Sequence, residues 1–420
     1  MEAYIKILNI AIPIFVLLIG IEWAIAVLLH KKVVRSVDVV SSLSSGLTNT
    51  IKDVLGLTII IVSYDWLVDS IALMSMPVGV LTFVVVFILK DFAQYWSHRW
   101  EHRINIFWNR HVIHHSSEDF NLACALRQPI SNLANIFIFL YIPMALLGVP
   151  TIVVATVAPL HLFAQFWYHT QLINKMGFLE HILVTPSAHR VHHAINDIYL
   201  DRNFAAIFII WDKLFGTYQE ELADVKPVYG VKRPVRTWNP IIINFQHLLL
   251  LIRDAWHTNS WKDRVTLWFR PTGFRPKDVV ERFPEYTIDD VYSYQKYNSE
   301  KGLVLKTFAW TQLFIHLGLM LLVFNRMSDF SVVQVMWFGG FLFVSIFTFT
   351  SILDGSKIAF VGEALKWLVY IFSYLIWEIW FFDGLFDGSR MLFFSYMLLS
   401  LGFMIYIFSP KVKERFYLST

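Results

Sequence analysis

The sequence predicts an all-α, polytopic integral membrane protein with about nine transmembrane helices, and three observations carry that prediction. The 420 residues are 56% hydrophobic and 17% aromatic with only 16% charged, a composition of membrane proteins rather than of soluble domains. Apolar runs recur at lengths near the roughly 20 residues that a spanning helix needs. Basic residues follow the first run (Lys31, Lys32, Arg35) and the last (Lys411, Lys413, Arg415), which directs both ends to the cytoplasm.

The runs can be taken in order. Tyr4 to Leu29 is too long for a signal-peptide core, contains Glu22 and lacks an A-x-A-like cleavage site, so it reads as a retained helix. Leu47 to Tyr64, Val78 to Tyr95, Ile130 to Leu147 and Thr151 to Tyr168 follow. Leu305 to Phe324, Val332 to Ile352, Ile358 to Phe381 and Met391 to Phe408 complete the nine. Nine crossings put the N-terminus outside and every histidine cluster, with the polar stretch from Thr170 to Val304, on the cytoplasmic side. The opposite loops are short or acidic, as at Asp65, Asp69, Asp383 and Asp387. Within the polar stretch, Ile241 to Ile252 and Asn203 to Phe215 are apolar but short, which suits helices lying in the interface. The chain divides into a catalytic membrane domain with a cytoplasmic cap, 1–302, and a C-terminal set of helices, 303–420, serving as scaffold, channel wall or oligomer contact.

Charge and cysteine content exclude several functions. A formal net charge of +3 gives no reason to expect nucleic acid as a partner. The single cysteine, Cys124, permits no intrachain disulfide, four-cysteine iron–sulfur site or C-x-x-C-H haem attachment.

Histidine spacing points to metal. His98 and His102 lie four apart, His111, His114 and His115 form an H-x2-H-H set, and His189, His192 and His193 form another, with His169 between. Residues three or four apart share a helix face. Neutral imidazole suits iron, zinc, copper and nickel. Nine ligands are too many for one tetrahedral ion, so two metals are the natural count. His30, His161, His181, His247, His257 and His316 stand alone and read as packed or hydrogen-bonded residues.

Metal-bound imidazoles generally donate their second N–H to an oxygen acceptor. Asp91, Glu101, Glu118, Asp119, Asp197 and Asp201 are near enough in sequence to accept it, Asp91 lying seven before His98 on one helix face and Glu101 on another. Asn121, Arg127 and Gln128 lie just beyond the second cluster, before Pro129. Arg127 and Gln128 read as contacts to a polar substrate head or cofactor, with membrane-interface anchors as the alternative. A redox-active metal pair in a membrane suits a lipid substrate, whose apolar chain then need not enter water. The 37 Phe and 16 Trp could line a lipid tunnel or serve as membrane packing.

H-V-I-H-H-S-S-E-D-F-N-L-A-C-A-L-R-Q (111–128), Q-F-W-Y-H-T (165–170), T-P-S-A-H-R-V-H-H (185–193), N-F-A-A-I-F-I-I-W-D-K-L-F-G-T (203–217) and V-Y-G-V (228–231) resemble the membrane fatty acid hydroxylase and sterol desaturase superfamily. Within it they resemble the ether-lipid-cleaving alkylglycerol monooxygenases. The resemblance runs from about Asp91 to Pro240. It implies that the nine clustered histidines hold two irons in an O2-dependent non-haem monooxygenase. It implies hydroxylation of the alkyl carbon beside an ether oxygen, the product collapsing to a fatty aldehyde and a glycerol derivative. Tetrahydrobiopterin or another external reductant, including an electron-donor protein, would supply electrons. Glu118, Asp119 and Gln128 are candidate cofactor contacts, and Glu118, Asp119, Asn121 and Arg127 candidate catalytic or positioning residues. Zinc can replace iron in preparations. The host membrane would be a bacterial inner membrane or the endoplasmic reticulum. The competing readings are an acyl, sterol or carotenoid-like lipid hydroxylase of the same superfamily and, from another class, a zinc-dependent membrane hydrolase or metal transporter. An oligomer is compatible with all of them.

Overall fold

Apolar runs without water must satisfy their backbone internally, and in the computed structural model, which describes residues 2–297, 302–377 and 388–410, they do so as helices. The chain is all-α. Helices α1 (Glu2–Leu28), α2 (Ser36–Val54), α3 (Tyr64–Ile71) and α4 (Val80–Arg103) lead to the short α5 (Asn105–Trp108) and α6 (Val112–His115). After a 3-10 turn at Leu122–Leu126 come α7 (Ile142–Leu146), α8 (Thr151–Phe163), α9 (Pro186–His192) and α10 (Ile210–Leu214). The polar stretch holds α11 (Pro240–His257), α12 (Trp261–Thr266) and α13 (Lys277–Arg282). Four long helices follow: α14 (Leu303–Asn325), α15 (Val332–Leu353), α16 (Ile358–Trp377) and α17 (Ser389–Ile407).

Six helices among the described residues are long and apolar enough to cross a membrane: Ile7–Leu28, Val80–Arg103, Leu303–Asn325, Val332–Leu353, Ile358–Ile376 and Ser389–Ile407. The protein is an integral membrane protein. Three expected spans take other forms. Leu47 to Tyr64 contains only the end of α2, a serine-rich helix whose hydroxyls bond inward, Ser41 to the Trp238 carbonyl and Ser45 to that of Gln128. Ile130 to Leu147 is irregular up to Phe137 and then forms only a 3-10 turn (Ile138–Tyr141) and the short α7. Asn135 bonds Ile61 N and Val62 O, and Asn244 Oδ1 accepts from Ile130 N. Thr151 to Tyr168 is helical only to Phe163, with Pro159 inside it. Hydropathy cannot separate such irregular apolar backbone from a span. Lys411, Lys413, Arg415, Asp383, Asp387 and the end of the eighth expected span, 378–381, lie outside the described residues.

Of the two expected interfacial helices, Ile241 to Ile252 lies within α11, whose first N–H groups are capped by Asn239. Asn203 to Phe215 is helical only at α10. Its first half is held as a loop by buried carboxylates. The main apolar core joins α1, α2 and the four C-terminal helices, with Leu47, Ile51, Phe338, Phe341 and Ile346 buried together. At one end of α4 two loops cross so closely that a Cβ on Gly148, at φ +60, would lie 1.8 Å from the Met74 carbonyl oxygen. Only glycine fits there.

Candidate metal centre

Four pieces of chain deliver the histidines, each for a local reason. On α4, His98 and His102 are one helical turn apart and share its buried face. His111 precedes α6, which carries His114 and His115. On α9, Thr185 caps the helix by accepting from Ala188 N and Pro186 occupies the first turn. The T-P-S-A-H-R-V-H-H run is thus a capped helix presenting His189, His192 and His193. His169 sits on the turn after α8, its amide bonded to the Phe166 carbonyl.

The nine converge into two groups. His98, His102, His111, His115 and His192 form one, and His114, His169, His189 and His193 the other, with potential ligand atoms within 4.8 Å of one another inside each. The His115 and His193 rings stack between the groups at 4.3 Å.

Hydrogen bonds fix which ring nitrogen faces inward. His98 Nδ1 meets the Phe204 carbonyl at 2.7 Å, His192 Nδ1 that of Arg202 at 2.9 Å and His169 Nδ1 that of Gln165 at 3.0 Å. A carbonyl only accepts, so each Nδ1 carries the proton and each Nε2 keeps a bare lone pair. The Nε2 atoms then face one another: His98 to His111 at 2.8 Å, His115 to His111 at 3.1 Å, His189 to His169 at 2.9 Å and His193 to His189 at 3.0 Å. The bare lone pairs of His98, His169 and His192 are thus directed into these sets of ring nitrogens. Ligands about 2.1 Å from a shared ion at right angles would be about 3 Å apart, so the donor set fits a metal. The buried His192 Nε2 has no hydrogen-bond partner among the described residues. Burial, with repulsion between neighbouring rings, pushes His111, His115, His189, His192 and His193 well below the usual imidazole range. His169 falls to about 3, through burial. These rings are neutral at physiological pH, the form that binds metal.

The carboxylates take varied positions. Asp201 lies 3.4 Å from His102 Nδ1, and Glu101 3.6 Å from His111 Nδ1 while pairing with Arg110 at 3.2 Å. Asp91 turns elsewhere: its oxygens accept from His161 Nε2, Ile207 N, Phe208 N and Trp211 Nε1 at 2.8–3.1 Å. It staples the 204–211 loop to α4. Asp197 pairs with Lys232 at the surface. Glu118 accepts from Tyr294, Tyr297 N and Arg35, and Asp119 is paired with Arg35 and Lys296. Asn121 caps the 3-10 turn and bonds the Val33 carbonyl. Gln128 bonds the Ala125 carbonyl. Arg127 is buried against Asp38, Ser42 and Ser116.

Sequence reading missed three buried acids. Asp38 joins Arg127 and Ser117. Glu22 bonds Thr170 and Leu122 N, tying α1 to the turns beside His169 and the second cluster. Asp212 accepts from Phe204 N, Ala205 N and Thr217, holding the loop whose carbonyl orients His98. Burial raises Asp212 to about 6. An acid inside an apolar run was the available signal for Glu22 and, in Asn203 to Phe215, for Asp212; Asp38 had none.

Asp201 has φ +57 and Asn203 φ +56, left-handed positions that few side chains adopt. Asn203 holds the turn through the Ala188 and Gln219 carbonyls. Asp201→Ala is expected to lower metal affinity about 10- to 100-fold, read by metal content after graded chelator dialysis. An unchanged chelation curve would remove Asp201 from the site. The single histidines stay outside both groups. His161 bonds Asp91, His247 bonds the Asn105 carbonyl, and His316 is buried beside Phe349 in the C-terminal helices. His316→Ala is accordingly expected to cost stability but leave metal content within about 10% of wild type, measured on the folded fraction.

The fold and this histidine array define an integral membrane protein with a metal site. The fatty acid hydroxylase family profile matches residues 83–217, which contain all nine clustered histidines. The chain is 33% identical to alkylglycerol monooxygenase of Homo sapiens over 370 residues, covering 87% of this chain and 81% of the relative. It is 31% identical to alkylglycerol monooxygenase of Xenopus tropicalis, covering 85% and 80%. It is 27% identical to an ornithine lipid hydroxylase of Rhizobium tropici over 135 residues, 32% of this chain and 41% of the relative. The chain belongs to the fatty acid hydroxylase superfamily and, within it, to the alkylglycerol monooxygenase family. It is an oxygen-dependent monooxygenase. No solved structure matches it.

Proposed function

We propose that the chain hydroxylates the alkyl carbon beside the ether oxygen of an alkylglycerol lipid. O2, two electrons and two protons give the hemiacetal and water, and the hemiacetal collapses to a fatty aldehyde and a glycerol derivative. The convergence of nine histidine Nε2 atoms into two adjacent groups carries this reading, together with the relatives named above. The proposed metals are two irons, which would supply O2 activation when bound. His98, His102, His111, His115 and His192 would hold one, and His114, His169, His189 and His193 the other. Zinc could occupy the same imidazoles without redox activity.

The protein's own contribution is orientation. Carbonyls of Gln165, Arg202 and Phe204 fix three ring tautomers, and Asp91 and Asp212 hold the loop supplying Phe204. Glu118, Asp119, Asn121, Arg127 and Gln128 belong to this reading as positioning residues, their polar groups being engaged within the protein. Electrons would come from tetrahydrobiopterin, another external reductant or a donor protein.

The site is proposed to face the cytoplasm, with 1–302 as catalytic domain and 303–420 as its brace. Lys31, Lys32 and Arg35 at the site-facing end of α1 support this orientation. Asp354, just after α15, bonds Trp238 N and Thr237, which supports the same face for that helix end. Nine crossings would require Leu47 to Tyr64, Ile130 to Leu147 and Thr151 to Tyr168 to cross as short or irregular passes.

Anaerobic purification, metal quantification and aldehyde release from an alkylglycerol, with and without O2 and tetrahydropterin, test the proposal. Aldehyde formation should need iron and O2. Equal turnover by zinc-loaded protein without O2 would sink it.

A further inference from the structure

A cavity of about 780 Å³ opens beside the histidines, lined by His102, His115 and His192 and also by Arg233, Arg275 and Lys277. Much of the remaining wall is apolar, including Val112, Ile195, Val231, Ile243 and Leu250. Gly230, of the V-Y-G-V run, lines it at φ +123. The volume suits a ligand rather than a water or two.

Charge in and just behind the wall around Arg233 is unevenly matched, the other lining acid, Asp201, being paired with His102 and Arg103. Arg275 makes two bonds to Asp254, at 2.6 and 2.9 Å, and Arg253 pairs with Glu285. Arg233 is left with His247 Nδ1 at 3.1 Å. That imidazole is already committed: its Nε2 lies 2.8 Å from the Asn105 carbonyl, so Nε2 is the protonated nitrogen and Nδ1 an acceptor on a neutral ring. Three guanidinium groups thus share two carboxylates, and the largely buried third has a neutral partner. Burial lowers Arg233 to about 10, with Arg275 and Arg253 adding repulsion against the pull of Glu285 and Asp254. Lys277, an exposed lining residue, adds positive charge. Its side chain makes no ion pair among the described residues. A buried cation without an anion is costly, and an arriving phosphate-class anion would restore the balance with the paired geometry that guanidinium offers.

We propose that Arg233 anchors an anionic head in this cavity and that the enzyme therefore selects amphiphiles with a phosphate-class head over neutral ones of the same chain. The histidine side of the cavity receives the carbon to be oxidised, which lies next to the head, and the apolar wall takes part of the chain beyond it. The selection rests on the ether-lipid reading only where turnover is measured.

The test separates the two. Equilibrium binding of octyl phosphate, octanol and inorganic phosphate is measured on the metal-loaded full chain in neutral-lipid nanodiscs. Octyl phosphate should bind about tenfold or more tighter than octanol, the scale of one charge-assisted contact, and tighter than inorganic phosphate. Arg233→Gln should remove most of that advantage, and Arg233→Lys should retain part of it. Equal binding of octyl phosphate and octanol by the wild type, or an unchanged preference in Arg233→Gln, would overturn the anchor. Inorganic phosphate binding as tightly as octyl phosphate would also overturn it as a lipid-head site. If Arg233→Gln does not fold, the wild-type ratio and Arg233→Lys remain decisive. For turnover, 1-O-alkylglycerol 3-phosphate is compared with the neutral alkylglycerol, and Arg233→Gln should lower the kcat/KM ratio about tenfold through KM. Binding selectivity without turnover of either lipid would leave the anchor standing and reject the ether-lipid reading.

Discussion

Replacing His114 by alanine is expected to lower metal content from about two ions per chain toward one and turnover by at least about a hundredfold. The effect follows from how the two groups are composed. His169, His189 and His193 come from the later part of the chain, and His114 is the one member of their group from the 98–115 stretch. In the other group the roles reverse, with His192 joining four ligands from 98–115. His114 and His192 therefore each cross from one segment to the other. Loss of His114 leaves three imidazoles, a set open to solvent and weaker for a divalent ion. Loss of His192 leaves four, so its metal affinity should fall less while turnover still falls at least about tenfold, because the α9 tie to that group is gone. Metal quantification and aldehyde release on the same preparations check both. Wild-type metal content in the two variants together would break the two-metal arrangement.

The histidines were legible because their spacing is local. An i, i+3, i+4 pattern fixes a shared face whatever the rest of the fold does, and Thr185-Pro186 announces the start of α9. The long helices were legible for a similar reason, since α14 to α17 and α1 carry their signal in every window of 20 residues. What failed was any inference needing a distant partner. Asp91 lies on the expected face of α4, yet its oxygens are taken by residues more than 110 positions later along with His161. Asp38 and Glu22 meet partners about 80 to 150 residues away. The Ile130 to Leu147 segment is as apolar as a span, but the distant Asn244 takes the Ile130 N–H, and Asn135 ties the segment to the backbone of Ile61 and Val62. Hydropathy records that a segment avoids water, not how its amides are paired.

Arg127 tests the positioning role most strongly. Its side chain is 2% exposed and lies 2.7 Å from Asp38, itself 1% exposed, with Ser42 and Ser116 completing the guanidinium's bonds. Ser116 directly follows His115, so this cluster fixes the end of α6 against α2. Arg127→Met strands the Asp38 carboxylate in a dry site, and breaking such a pair costs about 3–5 kcal/mol. The expected result is a large fall in melting temperature and loss of metal. Arg127→Met combined with Asp38→Leu removes both charges, and apolar replacement of a whole buried pair is often near neutral. The double variant should recover more than about 2 kcal/mol relative to the sum of the single changes, together with metal content and part of the turnover. A group that instead touched the lipid head or reductant would behave differently. Arg127→Met would then fold and keep metal while KM rose, and the second substitution would restore nothing. Thermal unfolding, metal content and the split between kcat and KM, read on all three variants, decide between a residue that holds α6 in place and one that binds the substrate.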